Sequence, residues 1–383
     1  MLKHDQSLYF YLFTRRGFVP ARTLTNQACA IYNEYDNVNI CGVIRLILIK
    51  EESALTKLTI KDIAKEAGVS TATISRVLNN SGYVSNDIKQ HVMEVIRKLN
   101  YQPNAIARSL KQEKSRSVGI VLPDMTNPYF MNIARAIQHR CFQEGYHLLF
   151  VDTEENPDKE KEALDFLTEK RIEALILAGT GGNREQIQAI SGAGIRVILV
   201  DRRYSNLKLD TVAEDNIYAS KAAIEYLIEK NHRRIGIIGG PQSISTARER
   251  RQGAMIGLEE AGIALAPELM VEGDYTRDSG TDALRRLMAL PEPPTAIFSA
   301  NNEMTFGVYL GMQQLGLPLD SIEVVSFGNL EFSSLFRHKL SVIMQNPHDI
   351  GEIVGDLLIR RLGGDDSETE NQVLVPKLVP YEA

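Results

Sequence analysis

Residues 59–79 read Thr59-Ile-Lys-Asp-Ile-Ala-Lys-Glu-Ala-Gly-Val-Ser-Thr-Ala-Thr-Ile-Ser-Arg-Val-Leu-Asn79. Thr59 is placed to cap a helix in which Ile60, Ile63, Ala64 and Ala67 recur at i, i+3, i+4 and i+7, one apolar stripe of helical period. Gly68 marks the turn that ends it, because a residue without Cβ takes positive φ freely. Ser70 or Thr71 caps a second short helix ending near Leu78, with Ile74, Val77 and Leu78 turned inward. Ser85 starts a third, with Ile88, Val92, Val95, Ile96 and Leu99 on one face. Three short helices with a glycine turn between the first two read as a helix-turn-helix, a pattern that short helical bundles share.

Taken as a recognition helix, residues 71–78 turn Thr71, Ala72, Thr73, Ser75 and Arg76 outward. Such a helix sets its first turns against base edges in the major groove while its partner crosses the phosphates. Arg76 has the fork for guanine O6 and N7, and Thr71 and Ala72 offer methyls to thymine. Thr59, Lys61 and Asn79 suit phosphate contact, as do Thr73 and Ser75. The alternative is a solvated helix face.

Charge favours the first reading. The chain of 383 residues carries a net −6, which by itself argues against nucleic acid. Residues 57–116 nevertheless hold 11 Lys/Arg and 5 Asp/Glu, a net of +6. Residues 1–56 carry +1, which leaves −13 on residues 117–383. A small basic module is joined to a large acidic one, so a nucleic-acid contact would be confined to one part.

Upstream, residues 1–57 mix Tyr9, Phe10, Tyr11 and Phe13 with Arg15-Arg16 and show no sustained period. They are expected to be an extension, disordered or arising from a misassigned start codon, with an interaction arm as the alternative. Downstream of Pro103, residues 104–110 have an asparagine cap and helix formers. One or two turns do not repay helix nucleation alone. Residues 111–116 form a polar basic linker.

From residue 117 apolar runs alternate with helical patterns. Strands are expected at 118–122, 147–152, 174–178, 197–201, 235–238, 295–299 and 323–327. Helices are expected near 130–144, 158–170, 217–230, 247–261, 278–289, 302–314 and 348–361. That alternation implies doubly wound parallel sheets, and the length fits two α/β subdomains with a cleft between them.

Enzyme signatures are missing. The glycines at 179, 181 and 182 and at 236, 239 and 240 complete neither GxGxxG nor GxxxxGK[ST]. There is no GxSxG elbow and no HExxH, so no catalytic residue and no cofactor is assigned. The seven His show no metal-ligand spacing, and Cys29, Cys41 and Cys141 form no CxxC pair, so no metal site is expected. No apolar run is long enough to span a bilayer, and no secretory signal is evident, so the expected location is cytoplasmic with no membrane partner.

The stretch 59–79 closely resembles the DNA-binding domain of the lactose/galactose repressor family. Residues 101–111, Tyr-Gln-Pro-Asn-Ala-Ile-Ala-Arg-Ser-Leu-Lys, resemble that family's hinge helix. The match continues through Val118-Gly-Ile-Val-Leu-Pro-Asp124 and Asn127-Pro-Tyr-Phe130 toward the C-terminus. The resemblance implies an N-terminal all-α helix-turn-helix domain at 58–103 and a hinge helix and linker at 104–116. It also implies a periplasmic-binding-protein-like α/β effector-binding and dimerisation domain at 117–383. Subdomain one is expected at about 117–215 and 345–365, and subdomain two at about 216–344 and 370–383.

The family implies a repressor of operator DNA whose hinge helices order on DNA and enter the minor groove. Asn104, Ala107, Arg108, Leu110 and Lys111 match that hinge, with Leu110 as the wedge that kinks the central step. It also implies a small effector in the cleft. Asp124, Asn127, Tyr129 and Phe130 would line the first wall, Arg202 and Asp215 the connection, and Thr246, Arg250, Tyr275, Asn302 and Asn329 the second wall. Carboxylate, amide and guanidinium groups bind hydroxyls in pairs, and aromatics stack on sugar faces, so a sugar-like ligand is implied.

The chain departs from the family at two positions. Where many members place an Asp after strand 323–327, this chain has Gly328 followed by Asn329, and Asn302 stands where an Asp often occurs. Two readings follow. Either an anionic ligand, a sugar acid or phosphate, sits near Arg250 and Arg202, or Asn302 and Asn329 serve as neutral donors. Two recognition helices and two hinges addressing a pseudo-palindrome require a two-fold homodimer. The C-terminal Pro376 and Pro380, without heptads, give no tetramer helix. The competing readings are a transport-system binding protein, which needs a secretion signal, and an α/β enzyme, which needs a catalytic constellation.

Overall fold

The computed structural model describes residues 11–14, 17–20, 58–79, 81–101, 115–264, 266–330 and 339–381. Two units divide the chain, 1–111 and 112–383.

Within 1–57 the described residues are two short strands, β1 (Tyr11–Thr14) and β2 (Gly17–Pro20), paired antiparallel. Three helices follow: α1 (Ile60–Glu66), α2 (Thr71–Asn79) and α3 (Asn86–Lys98). The Thr59 backbone N–H and hydroxyl donate to the Asp62 carboxylate at 2.8 and 2.6 Å. Those bonds start α1 and hold the Asp62 carboxyl below its ordinary range. Gly68 ends the turn at φ +63°. Ser70 Oγ accepts from the Thr73 backbone N–H at 3.1 Å, so Ser70 is the cap and Thr71 the first helical residue. Ile63, Ala64, Ala67, Ile74, Val77, Val92 and Val95 make one buried cluster. Ile88, expected inward, is 40% exposed, because the first turn of α3 projects past a core that begins at Val92.

The second unit holds two six-stranded sheets. The first has the order β13-β7-β6-β5-β3-β4, all parallel. Its strands are β3 (Ser117–Leu122), β4 (His147–Asp152), β5 (Ala174–Leu177), β6 (Arg196–Val200), β7 (Asp210–Glu214) and β13 (Asn371–Leu374). The helices α4 (Pro128–Gln143), α5 (Pro157–Glu169), α6 (Arg184–Gly192) and α11 (Pro347–Leu362) cover it. The second sheet has the order β14-β12-β11-β10-β8-β9 and is parallel except at β14, which runs antiparallel to β12. Its strands are β8 (Ile235–Gly239), β9 (Met270–Glu272), β10 (Ala296–Ser299), β11 (Glu323–Phe327), β12 (Leu340–Met344) and β14 (Lys377–Val379). Its helices are α7 (Asn216–Glu229), α8 (Ser245–Glu260), α9 (Arg277–Met288) and α10 (Asn302–Gln314). Strands covered on both faces read as continuous apolar runs, and β5 and β10 are buried throughout. Cys141 lies in the first core, where burial pushes its thiol up to about 11.

The chain passes between subdomains after β7, after β12 and between β13 and β14. The expected boundary of subdomain two at 370 is therefore corrected: residues 371–374 pair with β7 in the first sheet. Five strands of the second unit were not anticipated, β7, β9, β12, β13 and β14, nor was helix α6, and β1 and β2 were not anticipated in the first. Most are short edge or crossover segments whose partners are distant in sequence. Arg361, on the last turn of α11, organises the polar loop before β13. It donates to both Asp210 oxygens at 2.8 Å and to the carbonyls of Asp365, Ser367 and Glu368. Among the described residues no helix is long and apolar enough to cross a membrane. Nor do three His, Cys, Asp or Glu side chains among them converge as metal ligands.

Candidate functional site

The helix-turn-helix offers one candidate surface. Thr71, Ala72 and Arg76 are exposed along α2, with Thr73 and Ser75 half-buried beside them. The Thr73 hydroxyl already pairs with Ser70 Oγ at 2.9 Å. Thr59 is exposed with its hydroxyl committed to Asp62, and Lys61 is exposed on α1. Asn79 closes α2, but its side chain lies outside the described set, as do Asn104, Ala107, Arg108, Leu110 and Lys111. The outward α2 face therefore keeps one cation, Arg76, among small side chains.

The second unit encloses a cavity of about 700 Å³ where the two sheets turn their carboxyl ends toward each other. Asp124, Asn127, Tyr129, Phe130, Arg202, Thr246, Arg250, Tyr275 and Asn302 line it together, from segments up to 178 residues apart in sequence. Asn127 caps α4, accepting from the Tyr129 N–H at 3.1 Å. It also reaches across to the other subdomain. Asn127 Nδ2 donates to Asn302 Oδ1 at 3.2 Å, and Asn302 Nδ2 donates back to Asn127 Oδ1 at 3.0 Å. The two amides thus bridge the cleft reciprocally, which a carboxylate at 302 would not permit.

The two arginines differ in availability. Arg202 is clasped by Glu155 in a two-pronged ion pair, 2.7 Å at Nη1, and also donates to the Gly179 carbonyl at 3.0 Å. Burial opposes the charge, but Glu155 and then Asp201 overrule it and raise the Arg202 pKa. Its Nε is buried with no hydrogen-bond partner, as is Thr180 Oγ1 on the same cavity wall. Arg250 stacks 3.7 Å from the Phe327 ring centroid, donating Nε to Asn216 Oδ1 at 2.9 Å and Nη1 to the Ala300 carbonyl at 2.7 Å. Among the described residues no carboxylate forms an ion pair with it. The Tyr129 hydroxyl donates to Asp201 Oδ1 at 2.9 Å, and burial followed by the Asp201 charge holds that phenol well above its ordinary range.

Two expected residues fall outside the cavity. Asp215 caps α7, accepting from the Tyr218 N–H at 3.0 Å. Asn329 is exposed and off the lining, beyond Gly328. Gly328 has φ +96°, and a Cβ there would lie 2.8 Å from Gln345 Oε1. Gln345 therefore occupies the space into which a side chain at 328 would grow. Sequence reading missed Gln345, Glu155, Asp201, Thr180 and Asn301, all on the lining. Asp201 was legible in principle, since it follows a strand at its carboxyl end; Gln345 was hidden because β12 was not recognised.

Six carboxylates line the cavity (Asp124, Glu154, Glu155, Asp158, Asp201, Asp274) against Arg202 and Arg250. With Arg202 neutralised by Glu155, the space presents amides, hydroxyls, aromatic faces and excess negative charge. Such a site pairs with hydroxyls and disfavours anions.

Comparison with known proteins agrees with both halves. Residues 59–104 match the model for bacterial regulatory proteins of the lacI family. Residues 115–381 match periplasmic binding proteins and the sugar-binding domain of the LacI family. The HTH-type transcriptional repressor PurR of Mannheimia succiniciproducens is 32% identical over 325 residues, 84% of this chain and 97% of that protein. The ribose operon repressor of Escherichia coli K12 is 32% identical over 324 residues, 84% of this chain and 98% of that one. Among solved structures, the Lac repressor bound to ONPG in its repressed state superposes with TM-score 0.73 at 26% identity, covering 85% of this chain and 98% of the other.

Proposed function

Since the chain belongs to the lacI family of bacterial regulatory proteins, DNA-binding repressors that carry a sugar-binding-type domain, we propose that it binds a pseudo-palindromic operator as a homodimer and that a small uncharged polar effector in the cleft sets its affinity. It acts as a regulator rather than an enzyme, in the compartment that holds the chromosome. One observation carries the effector reading: a 700 Å³ cavity between the two subdomains, walled by amides, hydroxyls and aromatics. A sugar of pentose or hexose size suits it, and the relative named as a ribose operon repressor supports that class. The anionic alternative loses support because the charge of Arg202 is already met by Glu155. Calorimetry with neutral sugars and their acid or phosphate forms tests this. Binding of a neutral sugar alone is expected, and binding confined to the charged forms overturns it.

On the DNA side, Arg76 is the base-reading residue, with Thr71 and Ala72 as thymine contacts and Lys61 toward phosphate. Leu110 is the minor-groove wedge, flanked by Asn104, Ala107, Arg108 and Lys111. Arg76→Ala is expected to weaken operator binding by about 1–3 kcal/mol and to relax specificity at one base pair per half-site. Equal weakening on all sequences would make Arg76 a phosphate contact instead. Light scattering is expected to report a dimer, and a stable tetramer would refute the two-fold assembly. Footprinting on neighbouring promoters, with and without neutral sugars, tests the operator and the effector together.

A further inference from the structure

Glu214 ends β7 and so stands on the first crossover, while Gln345 and Asn346 follow β12 on the second. One buried carboxylate joins the two. Gln345 Nε2 donates to Glu214 Oε2 at 2.6 Å, and the Asn346 backbone N–H donates to Oε1 at 3.1 Å. Glu214 is only 1% exposed. The charged groups around it come from three elements. Asp201 after β6 opposes ionisation, and Arg250 on α8 favours it. The Tyr129 phenol on α4 is itself raised by the Glu214 charge. Arg203 Nη2 and Asn216 Nδ2 donate to the Glu214 carbonyl, and Asn216 also accepts from Arg250. The carboxylate therefore touches the second crossover and the cavity-lining Gln345, while the backbone carbonyl of the same residue is linked through Asn216 to the cleft arginine.

Burial dominates and pushes Glu214 up to about 7. A neutral acid retains acceptor capacity on both oxygens for Gln345 and Asn346. An ionised one in the same place is favoured by the Gln345 and Asn346 hydrogen bonds and by Arg250, but these do not offset the cost of burial, which hydration of the crossovers relieves. We propose that Glu214 is a positioning residue that makes closure of the cleft proton-dependent: the neutral acid keeps the crossovers packed with Gln345 in the cavity wall, and ionisation loosens them. The effector part of this inference rests on the ligand reading above; the clamp does not.

The sign follows from linkage. A carboxyl whose pKa is raised in the packed form stabilises that form at low pH, and the contribution is lost as pH rises through about 7. If loosening hydrates Glu214 fully, the packed population relative to the loosened one falls by up to about tenfold between pH 6 and pH 8. Hydrogen exchange on the full chain, corrected for intrinsic rates, reads this directly in wild-type protein. Protection of amides in 203–216 and 340–350 is expected to fall over that range, and to stay constant in Glu214→Gln. Flat wild-type protection, or an equal slope in the Gln variant, overturns the proposal. In parallel, D-ribose and D-glucose are titrated calorimetrically at both pH values. Failure of either sugar to bind counts against the ligand reading while leaving the exchange result to decide the clamp.

Discussion

Replacing Arg361 with alanine is expected to lower the stability of the second unit by about 3–5 kcal/mol, the range for breaking a buried ion pair from one side. Arg361 is buried, and its guanidinium engages both oxygens of Asp210, itself nearly buried, at 2.8 Å. Its remaining donors hold the carbonyls of Asp365, Ser367 and Glu368. Alanine leaves the Asp210 carboxylate with the Glu370 backbone N–H, at 2.8 Å, as its described donor. It also frees the loop that delivers β13 to the first sheet, so local opening at 363–374 adds to the loss. Denaturant unfolding monitored by circular dichroism measures it. A loss under about 1 kcal/mol would show that Asp210 is rehydrated without Arg361. The paired replacement of both residues by apolar side chains of similar volume is expected to recover most of the stability, because it removes the stranded charge.

The second large effect is on ligand response. Arg250→Ala is expected to reduce effector affinity by roughly 100-fold, about 3 kcal/mol, the upper value for a hydrogen bond made by a charged group. The substitution removes the guanidinium over Phe327 and strips Asn216 Oδ1 and the Ala300 carbonyl of their donor. Lysine does not restore it, since a point charge on a flexible stem cannot fill two divergent acceptors and stack on a ring together. Calorimetry on the variant, with operator binding measured without effector, separates this from unfolding. Unchanged effector affinity in Arg250→Ala would exclude it as an anchor.

The helix-turn-helix was legible because its information is local. Ile60, Ile63, Ala64 and Ala67 share a stripe fixed by helical geometry alone, and Gly68 and Ser70 mark their own turn and cap. The same holds for the alternation of buried strands and helices, which specified two doubly wound sheets. Ile88 shows the limit: periodicity names a face but not how far the core extends along it. Charge was legible too, since the net of +6 on residues 57–116 against −13 on residues 117–383 needs only counting.

The cleft was partly legible. Nine expected residues meet in one cavity, because strand ends and helix starts are readable and parallel sheets gather ligands at those ends. Asp215 was misplaced because a carboxylate at a helix start can cap or face the cleft, and only backbone direction chooses. Sequence by itself therefore determined the two modules, most of their helices, the central strands of both sheets, and the residue types along each wall. Tertiary structure alone decided that Arg202 is spent on Glu155, that Asn127 meets Asn302, and that Glu214 joins both crossovers to Gln345. Those pairs lie 47, 175 and 131 residues apart. No local period relates residues at such separations; the order of the first sheet sets Arg202 against Glu155, crossings between subdomains bring the other two pairs together, and their electrostatics exist only once water has been excluded.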